Sequence, residues 1–129
     1  MISQQVSVFL ENKSGRLNEV TRILGQAGIN ISAFTIADTS DFGILRMIVS
    51  DPQKAHEVLK QNSFSVKITD VVLAKTANEP GSLSKMLQIL SDGGAFIEYM
   101  YAFSMEEATA TIVIRPTNID KCLRILGEL

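Results

Sequence analysis

The sequence predicts an α+β fold of two consecutive units, each with an antiparallel sheet and its helices on one face. Three observations lead there. The chain repeats itself at an offset of 66 residues. In each copy, strand-like runs frame two helix-like apolar stripes. A glycine closes the first stripe of each copy, at Gly28 and Gly94, where a helix takes a left-handed cap without steric cost.

The repeat is anchored on "ENKSGRL" at 11–17 and "ANEPGSL" at 77–83, both Asn-x-(Ser/Pro)-Gly-x-Leu. Around them Val6, Ile23, Leu24 and Ile31 match Val72, Ile89, Leu90 and Ile97. The identities keep the order strand, turn, helix, glycine, strand. Repetition of that kind marks a duplicated supersecondary unit.

The elements follow in order. "QVSVFL" and "DVVLAK" are β-rich runs bounded by polar residues. Leu17, Val20, Leu24 and Ala27 form a helical stripe, and Leu83, Met86, Leu87 and Leu90 form its counterpart. "NISAFTIA" and "FIEYMYAF" read as strands. "DTSDFG" and "MEE" read as hairpin connections into "ILRMIVS" and "ATATIVI". Asp51 before Pro52, and Asn118 before Ile119, are N-cap signals for a second helix in each copy. Their inward residues are expected to be Ala55, Val58 and Leu59, then Cys122, Ile125 and Leu126.

The offset falls to 65 at the third strands and rises to 67 at the second helices. A one-residue slip swaps the two faces of a strand. A rigid offset would therefore turn Arg46 inward. "SVKITDVVLAK" at 65–75 serves as the last strand of one unit and the first of the next. The expected division is 1–66 and 67–129. The last strand of the second unit is expected from the N-terminus, where Ile2 matches Ile68. No Gly/Ser/Pro linker separates the halves, and a unit of about 65 residues is marginal by itself.

Composition sets bounds on function. Of 129 residues, 46% are hydrophobic and 20% charged, which suits a compact globule. The net charge is −2 with no basic block, so no nucleic-acid partner is expected. The single cysteine, Cys122, excludes a disulfide framework or a thiolate zinc site within one chain. No apolar run approaches the ~20 residues of a membrane span. "MISQQVSVFL" lacks a signal-peptide pattern. The expectation is a cytoplasmic protein with no membrane partner.

No G-x-S-x-G, P-loop or H-E-x-x-H pattern is present. Neither catalytic residues, metal ligands nor a cofactor are expected, and the protein is read as no enzyme. His56 reads as a lone exposed histidine and Cys122 as a buried small residue. Glu106 and Glu107 read as solvating a hairpin. Ile97, Tyr99, Tyr101 and Phe103 suggest a period-two face that packs against another surface rather than stacking on bases.

The turn, the repeat and the βαββαβ plan together resemble the ACT domain family across nearly the whole chain, twice. The resemblance implies two ferredoxin-like units and a regulatory, amino-acid-binding role. It places the ligand at the strand–helix loops, near the junction of the two units. The implied ligand residues are Asn12, Lys13, Ser14, Gly15, Arg16 and Leu17 with Asn30 and Ile31. Their counterparts are Asn78, Glu79, Pro80, Gly81, Ser82 and Leu83 with Phe96 and Ile97. The first copy has Ser14 where the family usually has Pro. The second has Phe96 where the first has Asn30.

Physical chemistry agrees with that use. Helix N-termini carry unpaired N–H groups and a positive dipole end. Glycine admits a ligand to the backbone, and an Asn amide both donates and accepts. The implied partners are an amino acid and either a second copy of the chain or a regulated enzyme. The alternative is a protein-interaction or oligomerisation module whose loops are only structural.

Overall fold

The structure is a computed structural model that describes residues 1–11, 15–38 and 42–127. In order, β1 spans Ile2–Glu11, α1 Arg16–Gln26, β2 Ile31–Asp38, β3 Phe42–Val49 and α2 Pro52–Gln61. β4 spans Ser65–Ala77, α3 Ser82–Asp92, β5 Ile97–Met105, β6 Thr109–Pro116 and α4 Ile119–Ile125. The chain forms two compact units. One is Gln4–Thr69; the other joins Met1–Ser3 to Asp70–Leu129.

In the Gln4–Thr69 unit, β3 lies between β2 and β1 and is antiparallel to both. The register sets Val6 opposite Met47 and Val8 opposite Leu45. Side chains alternate along a strand, so Val6, Val8 and Leu10 share one face with Leu45, Met47 and Val49. Val20, Ile23 and Leu24 of α1, with Ala55 and Leu59 of α2, cover that face. Each such burial contributes about 1.5–3 kcal/mol for a large aliphatic side chain.

The second unit repeats the arrangement. β6 lies between β4 and β5, antiparallel to both. Val72 and Ala74 meet Ile114 and Ile112, and Met86, Leu90, Cys122 and Leu123 close the core over them. Leu73 N–H donates to the Met1 carbonyl at 2.8 Å, which fastens the N-terminal residues to β4. Both units are thus α+β, with antiparallel strands and two helices on one face.

Three expectations change. Leu17 and Leu83, the first members of their stripes, are both 40% exposed and so lie outside their cores. In α4 the buried pair is Cys122 and Leu123, and Ile125 and Leu126 are only half-buried. The face through Ile97, Tyr99, Tyr101 and Phe103 does not exist as one surface. A register shift between Ile97 and Tyr99 turns Ile97 to the core side. Tyr99 and Tyr101 face Arg115 and Val113 on the other side, and a second shift falls at Phe103. A bulge adds one residue and so reverses the alternation.

Candidate functional site

The two repeated turns adopt one backbone conformation. α1 starts at Gly15 with φ 84° and ψ −7°; α3 starts at Gly81 with φ 87° and ψ −13°. That left-handed region is costly for residues bearing a Cβ. A glycine N-cap has no side chain to accept from the first-turn N–H groups. The other two described helices differ. Asp51 Oδ1 accepts from the Lys54 N–H at 3.1 Å, and Asn118 Oδ1 from the Lys121 N–H at 3.0 Å. A Cβ built on Gly15 or Gly81 would meet nothing within 4 Å. A Cβ at either turn would thus stand in open space; helix N-terminal N–H groups and the dipole favour an anion in general.

In the first copy, Asn12, Lys13 and Ser14 lie outside the described residues. Arg16 is held from three sides. Its Nη1 meets Glu19 Oε2 at 3.3 Å and its Nη2 meets Glu11 Oε1 at 3.7 Å. Its guanidinium lies 4.9 Å from the centroid of the Phe64 ring. Arg16 thus ties the end of β1 to the first turn of α1. Such half-exposed pairs contribute about 0–1 kcal/mol each.

Asn30 is exposed, and its N–H donates to Ser50 Oγ at 2.9 Å. Its carbonyl accepts from the Ser50 N–H at 2.9 Å. Leu17 and Ile31 border the same groove. With Thr21, Phe34 and Met47 they line an apolar groove of about 390 Å³.

In the second copy, the side-chain amide of Asn78 donates to the Glu106 carbonyl, and its N–H donates to the Ala108 carbonyl at 3.1 Å. The Glu79 carbonyl accepts from the Ser82 N–H at 3.2 Å, making the turn into α3; Pro80 is exposed beside it. Glu79 and Ser82 line a groove of about 380 Å³ with Lys75, Lys85, Ile89 and Leu126. Leu83 and Ile97 take no part in it. Phe96 is 68% exposed, and its carbonyl accepts from the Thr117 N–H at 3.0 Å. The first groove is mostly apolar and the second is edged by charges, so the two copies offer different surroundings.

The sequence reading missed Glu11, Glu19 and Phe64 around Arg16. The i,i+3 spacing of Arg16 and Glu19 was readable in principle; Phe64 is brought there only by packing. His56 is half-buried on α2 rather than exposed, and Glu106 and Glu107 are exposed. Among the described residues, no three His, Cys, Asp or Glu side chains gather to hold a metal. No described helix is long and apolar enough to cross a membrane.

The chain matches a family model described as an ACT domain pair over residues 1–128. The crystal structure of protein BT0572 from Bacteroides thetaiotaomicron is 56% identical, with a TM-score of 0.94, covering 99% of this chain and 88% of that one. The regulatory subunit of aspartate kinase from Thermus thermophilus shares the fold. Its TM-score is 0.70 at 16% identity, over 99% of this chain and 94% of that one. The acetolactate synthase small subunit of Buchnera aphidicola subsp. Baizongia pistaciae is 22% identical over 125 residues, 95% of this chain and 77% of that protein. With the duplicated glycine turn and the two α+β units in place, the match over almost the full length settles the family: this chain belongs to the ACT domain family and carries an ACT domain pair.

Proposed function

We propose that this protein is a non-catalytic regulatory module that binds a small amino acid at its strand–helix loops. Occupancy then biases its own assembly or the activity of a partner enzyme. The observation that carries the reading is the contrast among the helices of the described residues. α2 and α4 are closed by the side chains of Asp51 and Asn118, whereas α1 and α3 begin on left-handed glycines where a Cβ would meet nothing within 4 Å. A carboxylate suits those N–H groups, and Asn12 supplies a donor and an acceptor.

The first site would use residues 12–17 with Asn30 and Ile31, and the second residues 78–83 with Phe96 and Ile97. The functional units would be 1–66 and 67–129, the second completed by the N-terminal strand. Membership of the ACT family supports this reading. So does likeness to an acetolactate synthase small subunit and, in fold, to an aspartate kinase regulatory subunit. A partner enzyme in amino-acid metabolism is the corresponding proposal.

One observation favours a second reading, an oligomerisation module. Phe34 and Ile36 on the edge strand β2 are 64% and 43% exposed and lie on the helix-bearing side, opposite Met47 and Leu45. Light scattering across a concentration series tests it; a monomer at every concentration removes it.

The main test is a thermal-shift panel of the proteinogenic L-amino acids, followed by calorimetry. A ligand confined to the native state adds ~2.7 kcal/mol at a hundredfold excess over its Kd. Asn12→Ala should cost about 1–3 kcal/mol of binding if it leaves a ligand group unpaired. As a mere cap it would cost ~1 kcal/mol of stability. No shift with any amino acid defeats the proposal. Lost stability with unchanged affinity would assign the first loop a structural role.

A further inference from the structure

The loop of the second copy is fastened to a hairpin. The β4–β6 ladder ends at the pair Ala77 and Thr109, and Asn78 is the first residue beyond it. Its N–H donates to the Ala108 carbonyl at 3.1 Å, and its side-chain amide donates to the Glu106 carbonyl. The Glu106 N–H then donates to the Thr109 carbonyl at 2.9 Å, closing the turn between β5 and β6. One loop residue therefore serves two main-chain acceptors of the hairpin.

We infer that Asn78 is a positioning residue. It locks the turn through Glu79 and Gly81 to the 106–109 hairpin, so loop and hairpin move as one body. Three features support this. Residues 78–81 are all exposed, so packing does little to hold the turn. Residues 106–109 are exposed as well, so neither segment is fixed by a core. And the acceptors are main-chain carbonyls, so the lock needs only an amide of the right reach at position 78.

Asp lacks the donor, and Ala lacks the reach. One amide N–H of Asn78 is committed to the hairpin, so Asn78 holds the loop and keeps only its second N–H and its carbonyl oxygen for a ligand at the proposed second site. The output of the lock is the hairpin tip, where Glu106 and Glu107 present two exposed carboxylates. That last step rests on the ligand reading above; the lock itself does not.

The test is hydrogen exchange on the full chain without ligand, for wild type, Asn78→Ala and Glu106→Ala. Asn78→Ala should speed exchange of the amides at 78 and 106 about tenfold and leave Ile112 and Ile114 unchanged. Glu106→Ala keeps its main-chain carbonyl and should match wild type at position 78. Unchanged exchange at 78 and 106 in Asn78→Ala would overturn the lock.

A second arm adds the proteinogenic L-amino acids singly to wild type and Asn78→Ala. For one that binds, wild type should show altered exchange at 106–109, and Asn78→Ala should lose that response. Weaker binding with the hairpin response intact would place Asn78 on the ligand and overturn the inference. If no amino acid binds, the ligand reading fails, and the ligand-free arm still decides the lock.

Discussion

Gly93 stands directly against Ile125: a Cβ built on Gly93 would lie 2.6 Å from Ile125 Cδ1. The backbone there is ordinary, with φ −80°, so space rather than conformation requires the glycine. In the first copy the equivalent positions hold Ala27 and Val58, both packed on their own core. The two pairs carry the same number of side-chain carbons, divided differently. Relative to the first copy, the second has one methyl fewer at the helix end and one more on the facing helix.

That exchange makes the first prediction. Gly93→Ala should destabilise by about 1–3 kcal/mol through overpacking, and Ile125→Val by about 0.5–1.5 kcal/mol through a lost methyl. The double variant restores the division seen in the first copy and removes Cδ1, but Cγ1 would still lie 2.7 Å from the new Cβ. It should therefore recover only the part of the loss that the shorter side chain can relieve by turning aside. Urea unfolding of all four proteins forms the cycle. Strictly additive losses would refute the compensation.

The side-chain caps should matter to stability alone. Asp51→Ala and Asn118→Ala each remove an acceptor from a helix N-terminus and should cost ~1 kcal/mol. Affinity for any amino acid found by the panel should not change. A cap variant that loses affinity without losing stability would show that the closed helices also serve the ligand.

The glycine turns should behave in the opposite way. Alanine at Gly15 or Gly81 meets no neighbour, so its stability cost is conformational, about 1–2 kcal/mol. The new methyl would also occupy the open space beside the turn. Amino-acid affinity should fall at the altered turn, measured by calorimetry below the melting range. Full affinity in Gly15→Ala and Gly81→Ala together would show that no ligand approaches there.

The N-terminal residues should support the second unit. Deleting Met1–Ser3 removes the carbonyl that the Leu73 N–H reaches at 2.8 Å. Exchange at 108–114 should then rise, because β6 pairs with the β4 segment that Met1 secures. Wild-type protection at 108–114 after the deletion would contradict this.

The sequence by itself determined what local chemistry decides. The duplication, the left-handed glycines at 28 and 94, and the caps Asp51 and Asn118 were all legible, whereas the left-handed conformation of Gly15 and Gly81 was not read from the sequence. Each legible feature depends on residues within one turn of helix, where backbone sterics and a nearby side chain settle the outcome. The core face of β3, with Arg46 off it, was legible from the alternation along that strand.

Only the tertiary structure decided the rest. The shifts in β5 set Ile97 and the two tyrosines on opposite faces, because register belongs to a pair of strands and not to one. Asn78 turned to the hairpin because Glu106 and Ala108 were brought beside it by the β4–β6 ladder. Arg16 lies over Phe64, and Gly93 meets Ile125, through contacts between elements far apart in the chain. A residue's own type cannot reveal such a neighbour, since the contact exists only once both elements have packed.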